Sequence, residues 1–219
     1  MTAPLYRRRR LLLWIGVAAP IIAITTVSAA ALAYPGFNHA RQYLSELGGA
    51  SAHSPQIFNL GIVASGFSAI ASGAGFGLAI LALSRAWLAA LLLWVSFTLA
   101  GIGMIMASLY PWPDPRHLAI NLGLGIQLAP ILLIWGLAGL PEFRALRRFL
   151  LVVLVAMAIL TVLTKHLVLK GLVNDANVGW WERVFSIVLV GWIGVAAHVL
   201  ERRLKAISGG ESLENIANS

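Results

Sequence analysis

Few side chains in this chain can do chemistry, and they are unevenly spread. Residues Tyr34 to Asn59, YPGFNHARQYLSELGGASAHSPQIFN, hold two of the five histidines and the acid Glu46. His39, Gln42 and Glu46 follow one another at i, i+3 and i+7, with Ser45 beside them, so a helix would present them on one face. Asp114 lies between two prolines in PWPDPRH, and His117, Asn121 and Gly125 continue from there at i+4 spacing. Lys165 and His166 are neighbours, and Glu182-Arg183 follow Trp180-Trp181. Three chemistries can be built from this set. His39, His53, His117 and His166, with Asp114 or Glu46, could hold a metal that activates water, which would make a hydrolase of lipid-like substrates. The chain has no HExxH or HxxxH spacing to support that. Arg41, Arg116, Lys165 and Arg183 with the acids could instead form a lipid-headgroup or small-anion site, the favoured reading. Alternatively the charges pair structurally at helix ends, and function lies in partner helices.

Each residue also has a plainer role. Lys165 can snorkel to an interface, Trp180 and Trp181 suit an aromatic belt, and His117 can serve as a polar helix start. The stretch after Tyr34 reads as a short amphipathic helix. Asn38 is its N-cap, Phe37, Ala40, Tyr43, Leu44 and Leu47 form its apolar stripe, and Gly48-Gly49 is its stop. Such a helix either meets water with its polar face or closes a site as a lid.

The elements that must position these residues belong in lipid. Of 219 residues, 59% are hydrophobic and 11% charged, with a mean hydropathy of +0.85. A soluble domain carries about 25% charged residues. A chain this apolar cannot be wetted on all sides. No cysteine is present, so disulfides and thiolate ligands are excluded. The net charge of +8 sits at the ends of apolar runs, which marks membrane insertion and not nucleic-acid binding. No cofactor is implied, and the expected partners are membrane lipids and another membrane protein.

A span needs about 20 apolar residues. Six runs qualify, at about 11–33, 56–83, 86–110, 117–140, 149–169 and 180–200. The fold class is an all-α six-helix membrane bundle over 11–200, with a basic tail at 1–10. A second tail covers 201–219 and is expected to be disordered at its end. Ala31-Leu32-Ala33 resembles a signal-peptidase site, but the first run is longer than the usual h-region, so it is read as an uncleaved span. Gly61, Ser65, Ala69, Gly73 and Gly77 form a small-residue ladder for helix packing. The central part of the spans lacks charge, which argues against a proton pump or charged channel relay. No repeat of broken helices suggests a secondary transporter.

Eleven basic residues fall on one side of this topology: Arg7 to Arg10, Arg85, Arg144, Arg147, Arg148, Arg202, Arg203 and Lys205. Five fall on the other: Arg41, Arg116, Lys165, Lys170 and Arg183. The first side should be cytoplasmic, with both termini, in a prokaryotic cell membrane. The candidate residues then gather at the outer surface. The expected pocket has His117 and Asn121 as floor, and Glu182 and Arg183 with Lys165 or His166 as wall. Glu46 and His39 descend from the cap. Glu46 or Asp114 should pair with Arg183 or Lys165, because charge at that depth is costly alone. The inner acids Glu142, Glu201, Glu211 and Glu214 read as scattered and solvated.

The segments YLSELGG, IFNLG, YPWPD before His117, and WERV in that order resemble a bacterial and archaeal membrane family, domain-of-unknown-function family 998. The resemblance runs from about Leu11 to Leu200. It implies a six-helix membrane bundle, similar in layout to the six-span Frag/DRAM/Sfk group. It points to Ser45, Glu46, Asp114, His117, Glu182 and Arg183 without giving any of them a catalytic role.

Overall fold

The computed structural model describes residues 3–119, 124–164 and 171–208. Seven α-helices are present among them: α1 Ala3–Leu32, α2 Pro55–Leu83, α3 Trp87–Leu109, α4 Pro115–Ala119, α5 Leu124–Gly136, α6 Arg144–Thr164 and α7 Val178–Ser208. Short 3-10 helices at Leu44–Gly48 and Pro141–Phe143 complete the described helical elements. Five helices are long and apolar enough to cross a membrane. They match the expected first, second, third, fifth and sixth spans. The expected fourth span, 117–140, is represented by α4 and the thirteen-residue α5, with 120–123 outside the described residues. At 1.5 Å per residue α5 covers roughly 20 Å.

The packing order closes a ring. α1 lies against α2 and α7, α2 against α3, α3 against α5, α5 against α6, and α6 against α7. The ring's interior is filled by Phe76, Phe97 and Trp192, whose centroids lie 5.3 to 6.1 Å apart. Ile80, Leu93, Leu133, Leu150 and Met157 are fully buried around them. The outer faces expose Trp14, Ile24, Leu91, Trp94, Val152 and Ile187. That is the surface expected where the solvent is hydrocarbon.

Small residues let the helices close. An alanine methyl at Gly66 would meet the Gly101 carbonyl at 2.7 Å, and one at Gly77 would meet the Ala90 carbonyl at 2.9 Å, so α2 and α3 touch backbone to backbone. The expected ladder faces two partners and not one. Gly61 abuts Thr26 of α1, while Gly73 and Gly77 abut Phe97 and Ala90 of α3. Each i+4 step advances about 40° around a 3.6-residue helix, so five such positions wind from one neighbour to the next.

α1 and α7 run antiparallel. Gly16 lies on Ala197 and Gly194 on Pro20, while Arg10 pairs with Glu201 at 2.5 Å. The start of α1 and the end of α7 therefore share one end of the bundle, together with the Ser84-Arg85 turn. Further polar contacts lie there. Arg203 pairs with Glu142 at 3.0 Å, and Arg147 donates to the carbonyls of Leu137 and Ala138 at the end of α5. This corrects the expectation of scattered, solvated acids. Glu201 is buried and held by Arg10, and Glu142 is tied across to α7. Glu211 and Glu214, like the tail's expected disorder, lie outside the described residues.

Candidate functional site: the cap and its anchors

The opposite end of the bundle is covered by residues 34–54. They form a cap, but not the continuous amphipathic helix expected. Asn38 does accept at its side chain, from the Ala40 and Arg41 amides at 3.0 and 3.3 Å, yet it closes a turn there. Tyr43 then takes an extended backbone conformation, and a 3-10 helix runs from Leu44 to Gly48. The physical reason lies in what captures the backbone groups. The Ala40 carbonyl accepts the Gly179 N–H at 2.8 Å. The Leu44 N–H donates to Glu182 Oε2 at 2.5 Å. The Gln42 carbonyl accepts from Arg183 Nη1 at 3.1 Å. Bonds to α7 thus replace the helical ones.

Most of the candidate residues meet here. Glu46 Oε1 accepts the Tyr43 N–H at 2.8 Å and its Oε2 accepts from Gln42 Nε2 at 3.0 Å, a capping arrangement for the 3-10 helix. Arg183 Nε donates to His39 Nδ1 at 3.2 Å, and its Nη1 also donates to the Gly179 carbonyl at 2.6 Å. The guanidinium lies 5.3 Å from the Phe37 ring centre. Its Nη2 is buried and has no hydrogen-bond partner among the described residues. Ser45 is half-buried in the same 3-10 helix, and His53 is exposed. Partial burial, followed by the carboxylates of Glu182, Asp175 and Glu46, pushes the Tyr43 phenol above its usual range.

The expected ion pair across the site is absent among the described residues. Asp114 binds Arg116, with Nη2–Oδ2 at 2.7 Å and Nε–Oδ1 at 3.0 Å, and also accepts the Arg116 N–H. The bond from Arg116 holds the Asp114 carboxyl down at about 2. Two residues of separation inside a proline turn make that pair the shortest route to neutrality. Glu46 serves the cap's own backbone, so Arg183 is left with carbonyls and an imidazole.

His117 stands beside this group and not within it. Its Nδ1 lies 2.9 Å from the Tyr110 carbonyl and 3.2 Å from that of Ala107, so Nδ1 carries the proton and the ring caps the end of α3. The Trp112 ring lies between it and the cap, at 6.5 Å from His117 and 6.3 Å from Tyr43. Asn121, Lys165 and His166 lie outside the described residues. Among the described residues no group of three or more His, Asp or Glu could hold a metal ion.

Sequence reasoning missed the residues that act by having no side chain. A Cβ on Gly179 would stand 2.5 Å from the His39 carbonyl and 2.6 Å from that of Gln42. One on Gly49 would stand 2.6 Å from the Trp112 carbonyl, and one on Gly48 would meet Phe58 at 2.8 Å. Gly49 has φ −80°, so the pair is needed for close approach and not as a left-handed helix stop. Asn59 was also overlooked. Its Nδ2 donates to the Gly48 carbonyl at 3.0 Å. The only signal available was the glycine spelling itself, in ELGG and VGWW.

YLSELGG, IFNLG, YPWPD and WERV, far apart in the chain, thus converge on one cap. A closed apolar ring with polar caps and exposed aliphatic walls defines a multi-pass α-helical membrane protein. The chain belongs to the DUF998 family, proteins of unknown function, whose model matches residues 17–199. No curated protein and no solved structure matches the chain.

Proposed function

We propose that the protein crosses a prokaryotic cell membrane six times, with both termini cytoplasmic, and that its outer end binds, senses or moves a lipid headgroup or small amphiphile. The antiparallel seating of α1 on α7 supports an even number of crossings. The place of α5 in the ring between α3 and α6 supports counting it as the sixth. The eleven-to-five division of basic residues supports the orientation.

One observation carries the headgroup reading. Arg183 holds a buried Nη2, unpartnered among the described residues, beneath the cap, beside His39 and at the level where the chain leaves the apolar run. A buried guanidinium N–H without an acceptor is unfavourable, and a phosphate or carboxylate oxygen is its natural complement. A second reading, a structural or partner-binding subunit, is favoured by a different observation. Asp114, Glu46 and Glu182 are all engaged by groups of their own chain. Lipid mass spectrometry and elemental analysis of one purified preparation separate these readings. The headgroup reading expects a co-purifying amphiphile that Arg183→Gln loses, without stoichiometric metal. Unchanged lipid content in Arg183→Gln would leave the structural reading standing. A stoichiometric metal would revive the hydrolase.

A further inference from the structure

At the other end of the bundle a groove runs between α2 and α3. Ala74, Gly77, Leu81, Trp87, Ala90 and Trp94 line about 360 Å³ with almost wholly apolar surface. That volume falls within the range of ligand sites, about 300–1,000 Å³. Its floor is where Gly77 meets the Ala90 backbone. Trp87 and Trp94 stand largely exposed along it.

The groove ends at the Ser84-Arg85 turn, and that turn is unusual. Arg85 has φ +57°, the left-handed region, and is the one non-glycine residue so placed among the described residues. It follows the C-cap Ser84, where a helix end ordinarily takes glycine. An arginine held in a conformation that glycine adopts freely calls for a reason beyond the turn. Arg85 is exposed, and no ion pair among the described residues engages it. It is the one charged residue between Glu46 and Asp114.

We propose that this groove seats one acyl chain of an anionic phospholipid whose phosphate is held by Arg85. The medium around the bundle is hydrocarbon, and an apolar furrow open to it must be filled by something flexible and apolar. The length fits one leaflet. Ala74 precedes Arg85 by eleven residues, a rise of roughly 16 Å, about half of a hydrocarbon core near 30 Å. The charge selects an acidic headgroup. Arg10, Arg147 and Arg203 at the same end already have partners within the chain. Arg85 lies in the chain between the lining residues Leu81 and Trp87, which puts a cation next to the groove. The site is separate from Arg183 and stands or falls independently of the outer-rim reading.

The test is native mass spectrometry of the full chain in detergent, supplied with phosphatidylglycerol and phosphatidylcholine in equal amounts. The wild type should retain phosphatidylglycerol several-fold over phosphatidylcholine. Arg85→Gly suits the left-handed turn, so it should melt no lower than wild type while its preference falls to near one. Arg85→Lys should keep most of the preference, because a point charge still attracts phosphate. Ala74→Phe, which fills the groove, should lose the lipid, whereas Arg183→Gln should leave this preference intact. Equal retention of the two lipids by wild type, or an undiminished preference in Arg85→Gly, overturns the proposal. A dimer that Ala74→Phe dissociates would put a second copy in the groove and also overturn it.

Discussion

Replacing Gly179 by alanine adds one carbon at the joint between the cap and α7. That carbon would stand 2.5 and 2.6 Å from two backbone carbonyls of the cap, those of His39 and Gln42. Neither carbonyl belongs to a flexible side chain. The cap can yield only by moving as a unit, which breaks the Gly179 N–H bond to Ala40. Overpacking costs about 1–3 kcal/mol, and the lost hydrogen bond adds about 1 kcal/mol. Better helix propensity offsets up to about 1 kcal/mol. The net is a destabilisation near 2 kcal/mol, or roughly 4–8 °C in melting temperature for a chain of this size. Gly191 lies on the same helix with open space where its Cβ would be, so Gly191→Ala should be neutral or slightly stabilising. Thermal melts in one detergent, with hydrogen exchange across residues 38–48, make the comparison. If Gly179→Ala and Gly191→Ala behave alike, the cap does not rest on α7 as described.

Gly73→Leu should cost a few kcal/mol in the same melts, because its side chain would enter Phe97 of α3; an unchanged melt would put that part of the ladder against lipid. Glu142→Ala should cost about 2–3 kcal/mol by taking the carboxylate from the Arg203 side chain, which is only 10% exposed, while Glu201→Ala, whose partner Arg10 is 35% exposed and can turn to water, should cost about 1 kcal/mol. A denaturant series on the two variants reads the difference, and the reverse order would contradict it. Asp114 is an acid depressed from 3.8 to about 2 in the fold, so its contribution to the proline turn is full above pH 4 and lost as pH falls toward 2. An NMR titration of its carboxyl should show that midpoint, rising toward 3.8 in Arg116→Gln, and a midpoint near 4 in the wild type would refute the pairing. Reporter fusions after Arg85, after Arg148 and at the C-terminus should all report cytoplasm, and an external C-terminus would break the six-span reading.

The spans were legible because a hydrocarbon solvent leaves a one-dimensional record. Expected bounds of 56–83 and 86–110 became Pro55–Leu83 and Trp87–Leu109. Helix ends that run on past the apolar stretch were not legible. α1 begins before Arg7–Arg10, and α7 continues through Arg202 and Lys205 to Ser208, since a helix can leave lipid and keep its own hydrogen bonds. The convergence of His39, Glu46, Glu182 and Arg183 was legible from their common depth. Their partners were not. Hydrophobic period announced a helix after Asn38, but Glu182 and Gly179 compete for its amides and carbonyls from 138 or so residues away, and no local pattern encodes that. Glu201 looked solvated because charge is usually exposed, and only the antiparallel seating of α1 on α7 brings Arg10 to it.

The cap is fastened to the start of α7 through its backbone groups. Exchange of the Leu44 amide with solvent tests this most directly, since among the described residues that N–H is held by Glu182 alone. In lipid nanodiscs the wild-type Leu44 amide should be protected. In Glu182→Ala it should exchange many-fold faster, while amides around Leu93 in the core of α3 stay as slow as before. A Leu44 amide already exchanging freely in the wild type, or one unmoved by Glu182→Ala, would contradict the docked cap.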